Sequence, residues 1–236
     1  MFDIATIFHG LKLSQSVYLR YYYQIMEPTQ IAMIVALIFS VVIHEMAHGY
    51  AANWLGDPTA RLAGRLSANP LVHLDPFMSV ILPAMLVLTG SPLLFGAAKP
   101  VPYNPYNLTN QKWGEAIVAA AGPASNFVLA IIFALLVRNY ELFSLSQTFI
   151  MLSVQIVGLN IFLGLFNLVP IPPLDGSKIL PRLLPFSLSM KYEGFRRTLE
   201  HNAGLGFMLV IFLFVFVFSG PIYDLTQWLT YLLLRA

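Results

Sequence analysis

Residues 41–50 read VVIHEMAHGY and close the apolar run AMIVALIFSVVI. His44, Glu45 and His48 crowd three ionisable groups into one helical turn and a half. Each such group inside a membrane helix costs on the order of 3 kcal/mol, so the cluster points to chemistry. On a helix, residues four apart share a face. His44 and His48 can then bind one cation through two imidazole nitrogens. Glu45 reaches a water on that cation without being a ligand. The spacing is H-E-x-x-H, in which two histidines hold zinc and the glutamate is the general base. Such a zinc takes a third protein ligand and keeps a fourth position for water. The chain has no cysteine, so the third ligand is His, Asp or Glu.

One candidate stands out, in LNIFLGLFNLVPIPPLDGSKIL at 159–180. Asp175 is the only acid between Glu141 and Glu193. Pro170, Pro172 and Pro173 forbid a regular helix before it. Unwound backbone at membrane depth is tolerated only where protein buries it or a wet cavity lines it. Taken alone, Asp175 reads as the cap or end of a helix at the interface. Beside HEMAH it reads as the third ligand. Asn126 and Asn167 are amides in apolar helices. Each can donate to an oxyanion or to substrate backbone, or can form an interhelical hydrogen bond. For Asn167, structure around the helix break comes first and substrate contact second. His73, in NPLVHLDP, reads as a hydrogen-bonded loop residue rather than a further ligand.

The elements that must position these residues are membrane helices. Of 236 residues, 58% are hydrophobic and 10% charged, with mean hydropathy +0.72. Soluble domains carry about 25% charged residues. The fold class is therefore an all-α polytopic membrane protein. Helices are expected at about 30–54, 114–138, 147–170 and 203–219, with a short last segment at 221–234. The apolar segment 77–95 contains Pro83, Gly90 and Pro92 and makes a poor straight helix. Residues 1–28 are mixed, with Lys12, Arg20 and Glu27 breaking any signal-peptide core. Without a linker or a repeat, residues 1–236 read as a single integral-membrane domain. Tyr21, Tyr22, Tyr23, Trp54 and Trp228 read as interface aromatics.

The joint motifs resemble the site-2 protease family, the intramembrane zinc metalloproteases of peptidase family M50. HEMAH, AAGPASNF at 120–127 and NLVPIPPLDG at 167–176 carry the likeness. GDPTARLAGRLSANPLVHLDP at 56–76 and FGAAKPVPYNP at 95–105 are similar to its minimal branch, which lacks PDZ and CBS domains. The likeness covers residues 31–182. It implies a three-helix catalytic core within about 30–182, formed by the helices at 30–54, 114–138 and 147–170. It implies one Zn2+ per chain on His44, His48 and Asp175, with Glu45 as base, and it tilts Asn126 toward an active-site role. Ser177 stands where many relatives have a second glycine.

A shared metal constrains the threading. His44 and His48 lie toward the end of their helix and Asp175 follows the end of another, so both ends face one side. Segment 77–95 should then enter and return as a re-entrant hairpin. Nine basic residues, from Arg61 to Arg197, fall on the metal side against Lys12, Arg20 and Arg138 on the other. The positive-inside rule places the metal side in the cytoplasm of a bacterial or archaeal cell. The expected activity is hydrolysis of a peptide bond within or near a transmembrane helix of a substrate protein. The expected partners are that substrate and the lipid bilayer, with no nucleic acid. Two rival readings use the same His/His/Asp site, a catalytically silent membrane scaffold and a metal transporter. An intact Glu45 argues against the first, and the lack of polar residues along helices 114–138 and 203–219 against the second.

Overall fold

A computed structural model describes residues 15–75 and 98–235, with side chains from residue 29 onward, Ala203 excepted. The described residues are helical throughout, joined by turns and extended loops. Helix α1 spans Gln15–Trp54, and a short α2 spans Thr59–Leu62. Helices α3 (Gly114–Arg138) and α4 (Gln147–Asn167) follow. Two smaller helices, α5 (Gly176–Leu183) and α6 (Phe186–His201), precede a long α7. That last helix comprises Ala203–Leu213, a π turn at Phe214–Phe218, and Ser219–Leu234. Among the described residues, four stretches are long and apolar enough to cross a membrane: Thr29–Trp54, Gly114–Arg138, Gln147–Asn167 and Gly204–Leu234.

Three boundaries differ from the sequence expectation. Helix α1 starts at Gln15 rather than near 30, because the polar residues before Thr29 interrupt an apolar run without interrupting a helix. Helix α4 ends at Asn167, three residues before Pro170, where the backbone turns to meet the Pro-rich segment. The two C-terminal segments are one helix. Pro221 has no N–H for the turn before it. The wide π turn absorbs that loss, and Ser219 Oγ–H donates to the Val215 carbonyl at 3.1 Å.

Helix α3 lies between α1 and α4 and packs along both, and α7 covers the other side of α4. Ala130, Ala134 and Val137 of α3 meet Ile150, Val154, Val157 and Ile161 of α4, with Leu234 of α7 closing the cluster. Small residues on α3 let the backbones approach. A second cluster joins Ala52 of α1 and Leu55 just after it to Leu108 and Val118. Outward-facing side chains such as Ile34, Val128, Met208 and Phe216 are exposed, as lipid-facing residues are. Trp54 and Trp228 also face outward.

The expected re-entrant segment, 77–95, lies outside the described residues. Its flanks meet: the Lys99 N–H donates to the His73 carbonyl at 2.8 Å. The Thr109 N–H donates to the Leu55 carbonyl at 2.8 Å. The chain therefore resumes at the same end of α1 at which it left, and α3 starts there, antiparallel to α1. Helix α4 then runs parallel to α1, so the ends carrying His48 and Asp175 face the same side.

Candidate metal centre

His44 and His48 stand one turn apart on α1, as their spacing requires, and both rings are buried. Asp175 occupies the N-cap position of α5 but makes no cap hydrogen bond. Its carboxylate instead turns to the histidines. Asp175 Oδ2 lies 3.1 Å from His44 Nε2 and 3.3 Å from His48 Nε2, and the two Nε2 atoms are 3.0 Å apart. Donors of a tetrahedral zinc, each about 2.0–2.2 Å from the ion, stand about 3.3–3.5 Å from one another. The three separations, 3.0, 3.1 and 3.3 Å, lie at or slightly below that range, close enough for one small ion to sit among the donors. Among the described residues, this is the group of His, Asp and Glu able to hold a metal ion.

Hydrogen bonding fixes which atoms face the centre. His48 Nδ1–H donates to the Val118 carbonyl at 2.7 Å, an acceptor only, so Nδ1 carries the proton. For His44 the assignment passes through two amides. Asn160 Nδ2 donates to the Ile156 carbonyl and to Ser40 Oγ, both at 3.0 Å, which turns Asn160 Oδ1 toward Asn126. Asn126 Nδ2 donates to that oxygen at 3.0 Å. Asn126 Oδ1 then faces His44 Nδ1–H and accepts from it at 2.6 Å. Both Nε2 lone pairs therefore point at each other and at a carboxylate. Three such acceptors at hydrogen-bond distance repel unless a positive charge stands among them, which is what a bound metal cation supplies. The donor set and its fixed tautomers fit zinc.

Glu45 sits beside the centre and is not part of the triad. Its Oε2 accepts from the Val101 N–H at 2.9 Å, which leaves Oε1 for a water. Gly122 explains how α3 comes so close. A Cβ there would lie 2.6 Å from His44 Nε2 and would also strike the His48 ring.

Asn126 is fully buried, and its amide bridges His44 to Asn160 in the interhelical arrangement. Asn167 donates through Nδ2 to the Leu163 carbonyl one turn back in its own helix, at 3.0 Å. His73 is buried in a 3-10 turn, bonded through Nε2 to the Ser67 carbonyl at 2.8 Å, and stands outside the metal group. Sequence reasoning missed Asn160 and Ser40. Their signal was present: an amide in the middle of α4 and a hydroxyl one turn before His44, both in apolar surroundings. It also missed the Val101 N–H, a backbone group with no signature beyond the prolines on either side.

A sequence model described as Peptidase family M50 matches residues 32–150 and 141–213. The protein named "Putative zinc metalloprotease YwhC" of Bacillus subtilis is 36% identical over 189 residues, 78% of this chain and 80% of YwhC. "Putative zinc metalloprotease Rip2" of Mycolicibacterium smegmatis is 29% identical over 187 residues, covering 78% of this chain and 67% of Rip2. "Zinc metalloprotease MJ0392" of Methanocaldococcus jannaschii is 24% identical over 184 residues, 78% of this chain and 42% of that protein. No solved structure matches the chain.

Proposed function

The chain belongs to peptidase family M50, the site-2 proteases, and on that premise we propose that it cuts a peptide bond within or near a transmembrane helix of a substrate protein. It is an integral membrane metalloprotease whose cofactor is zinc. The intramembrane reading is supported chiefly by one observation. His44 and His48 are buried ten and six residues before the end of a membrane-spanning helix, with Asp175 of a distant segment brought within 3.3 Å of both.

We assign His44, His48 and Asp175 as ligands and Glu45 as the base. Zinc held by these three residues would acidify a bound water to a pKa of about 7 and polarise the substrate carbonyl. Glu45 takes a proton from the attacking water through Oε1. As the water oxygen bonds to the carbonyl carbon and the C–N bond breaks, Glu45 hands that proton to the leaving amine. Val118 and Asn126 keep each Nδ1 protonated and each Nε2 free. Asn126 thus serves by holding His44. A helical substrate hides its carbonyls in its own hydrogen bonds, so it unwinds before cleavage. Arg61, Arg65, Lys99 and the basic residues of α5 and α6 lie at the metal end, and Arg138 ends α3 at the other. This distribution supports an orientation of the centre toward the cytoplasm of a prokaryotic cell.

The test is cleavage of a membrane-helix substrate by the wild type and Glu45→Gln in liposomes, with bound zinc measured in both. Loss of cleavage with one zinc per chain retained is the expected result. Equal rates in both would sink the assignment of Glu45.

A further inference from the structure

Two buried charged residues have no part in the metal centre. Asp57 has no exposed surface, and Arg65 is 7% exposed. Burying a charge is costly unless strong hydrogen bonds repay it. Both spend those bonds on one short piece of backbone, the extended strap Lys99–Asn104. Arg65 Nη2 donates to the carbonyls of Lys99 at 2.5 Å and Pro100 at 3.3 Å. Asp57 Oδ2 accepts from the Asn104 N–H at 2.6 Å. Its Oδ1 accepts from Thr59 Oγ1 at 2.6 Å and Asn107 Nδ2 at 2.9 Å. The strap is thus pinned at both ends to the segment that follows α1.

Between the pins, Pro100 and Pro102 offer no N–H, and each ring fixes its φ. The Val101 N–H between them donates to Glu45 Oε2. The Val101 side chain is buried, and its Cγ1 lies 3.0 Å from where a Cβ on Gly49 would stand. A side chain at position 49 would strike Leu66 first, at 2.5 Å, and crowd Val101 as well, so the glycine lets both segments close on α1. At the far end, the Lys178 ammonium lies 5.2 Å from the centre of the Tyr103 ring, linking the strap to the helix that begins at Asp175.

We propose that Asp57 and Arg65 are positioning residues for the reaction, acting through a proline-stiffened strap whose Val101 N–H aims the Glu45 carboxylate. The inference rests on Glu45 as the base. Holding one carboxylate oxygen from behind leaves the other directed at the water, so proton transfer begins from a fixed geometry. Two charged pins stiffen the strap more than neutral ones. A strap that served only as packing would not need the N–H between its two prolines aimed at the base.

The experiment uses the full chain in phosphatidylcholine and phosphatidylglycerol vesicles, with a dye-labelled single-span helix peptide that the wild type cleaves. Val101→Pro removes the N–H, and Val101→Ala, which keeps it, is the reference. Relative to that reference, Val101→Pro should lower kcat about 10–100-fold, the range for outer-shell groups, with KM and bound zinc unmoved. Asp57→Asn and Arg65→Lys should lower kcat less, again with KM and zinc unmoved. Asp57→Asn should add nothing in the Val101→Pro background, because both act through one hydrogen bond. Equal kcat for Val101→Pro and Val101→Ala, or additive effects in the double variant, would overturn the strap while leaving Glu45 as base. Wild-type rates in Glu45→Gln, run alongside, would overturn the base itself.

Discussion

His44 and Glu45 are neighbours on α1, yet opposite kinds of structure hold them. His44 is fixed from within the bundle by side chains of α3, α4 and α1, in a ring from Asn126 through Asn160 to Ser40 that is dry and helix-borne. Glu45 is fixed from outside the bundle by the backbone of a loop, anchored by buried charges. The first arrangement is suited to metal ligands, whose tautomer must not change. The second suits a group that exchanges protons, because a backbone amide orients the carboxylate and brings no competing titratable group. Damage to the helix-borne side should therefore appear in zinc binding, and damage to the loop-borne side in turnover.

Gly122→Ala gives the largest effect. Its methyl group would occupy the space of both imidazoles, so bound zinc and cleavage should both be lost while α3 and α4 stay packed. Elemental analysis with circular dichroism reads this, and full zinc occupancy would refute the close approach. Asn126→Ala should weaken zinc about 10–100-fold in a chelator titration, because His44 Nδ1–H and Asn160 Oδ1 both lose their partner. Asn160→Ala should do the same more mildly, since it removes only the support of Asn126. An effect of either on turnover at saturating zinc, without one on affinity, would blur the division between the two sides.

Glu115→Gln should act on stability alone. Glu115 of α3 joins Arg196 of α6 at 2.8 Å and Arg182 of α5 at 3.3 Å, with little exposure of Glu115 or Arg196. Arg196 keeps Glu193 at 2.9 Å, so losing the Glu115 charge should cost about 1 kcal/mol, read as a lower melting temperature in detergent with turnover per folded molecule kept. The smallest effect concerns acid. Burial pushes the Asp57 carboxyl up, but the Thr59 hydroxyl, the Asn107 amide and the N–H groups of Asn104 and Thr59 outweigh it and hold it below its ordinary value. The ionised form is therefore favoured in the folded chain. Its contribution is complete above the ordinary carboxylate range and fades as pH falls through the lowered value. Asp57→Asn should flatten the loss of thermal stability below about pH 4.

The triad was legible because ionisable residues are conspicuous in apolar runs, and because two histidines four apart fix their own geometry. Asp175 needed only the absence of competing acids nearby. The amide ring was half legible. Asn126 was visible as a polar residue in a helix, but its partner depended on how α3 and α4 rotate about each other, which helix periodicity alone does not set. The strap was least legible, since its working group is a backbone N–H and its pins lie 36 and 44 positions away in the chain, at Arg65 and Asp57 relative to Val101. The join of the last two segments was hidden by Gly220-Pro221, a pair that ends most helices but not one with a widened turn before it.

The hydrogen bond between Lys99 and His73 holds together the two described flanks on either side of residues 76–97. Loop closure grows costlier only slowly with length, by about 0.6 kcal/mol for each doubling. The register of α1 against the strap is therefore set by the described flanks themselves, through His73, Arg65 and Asp57.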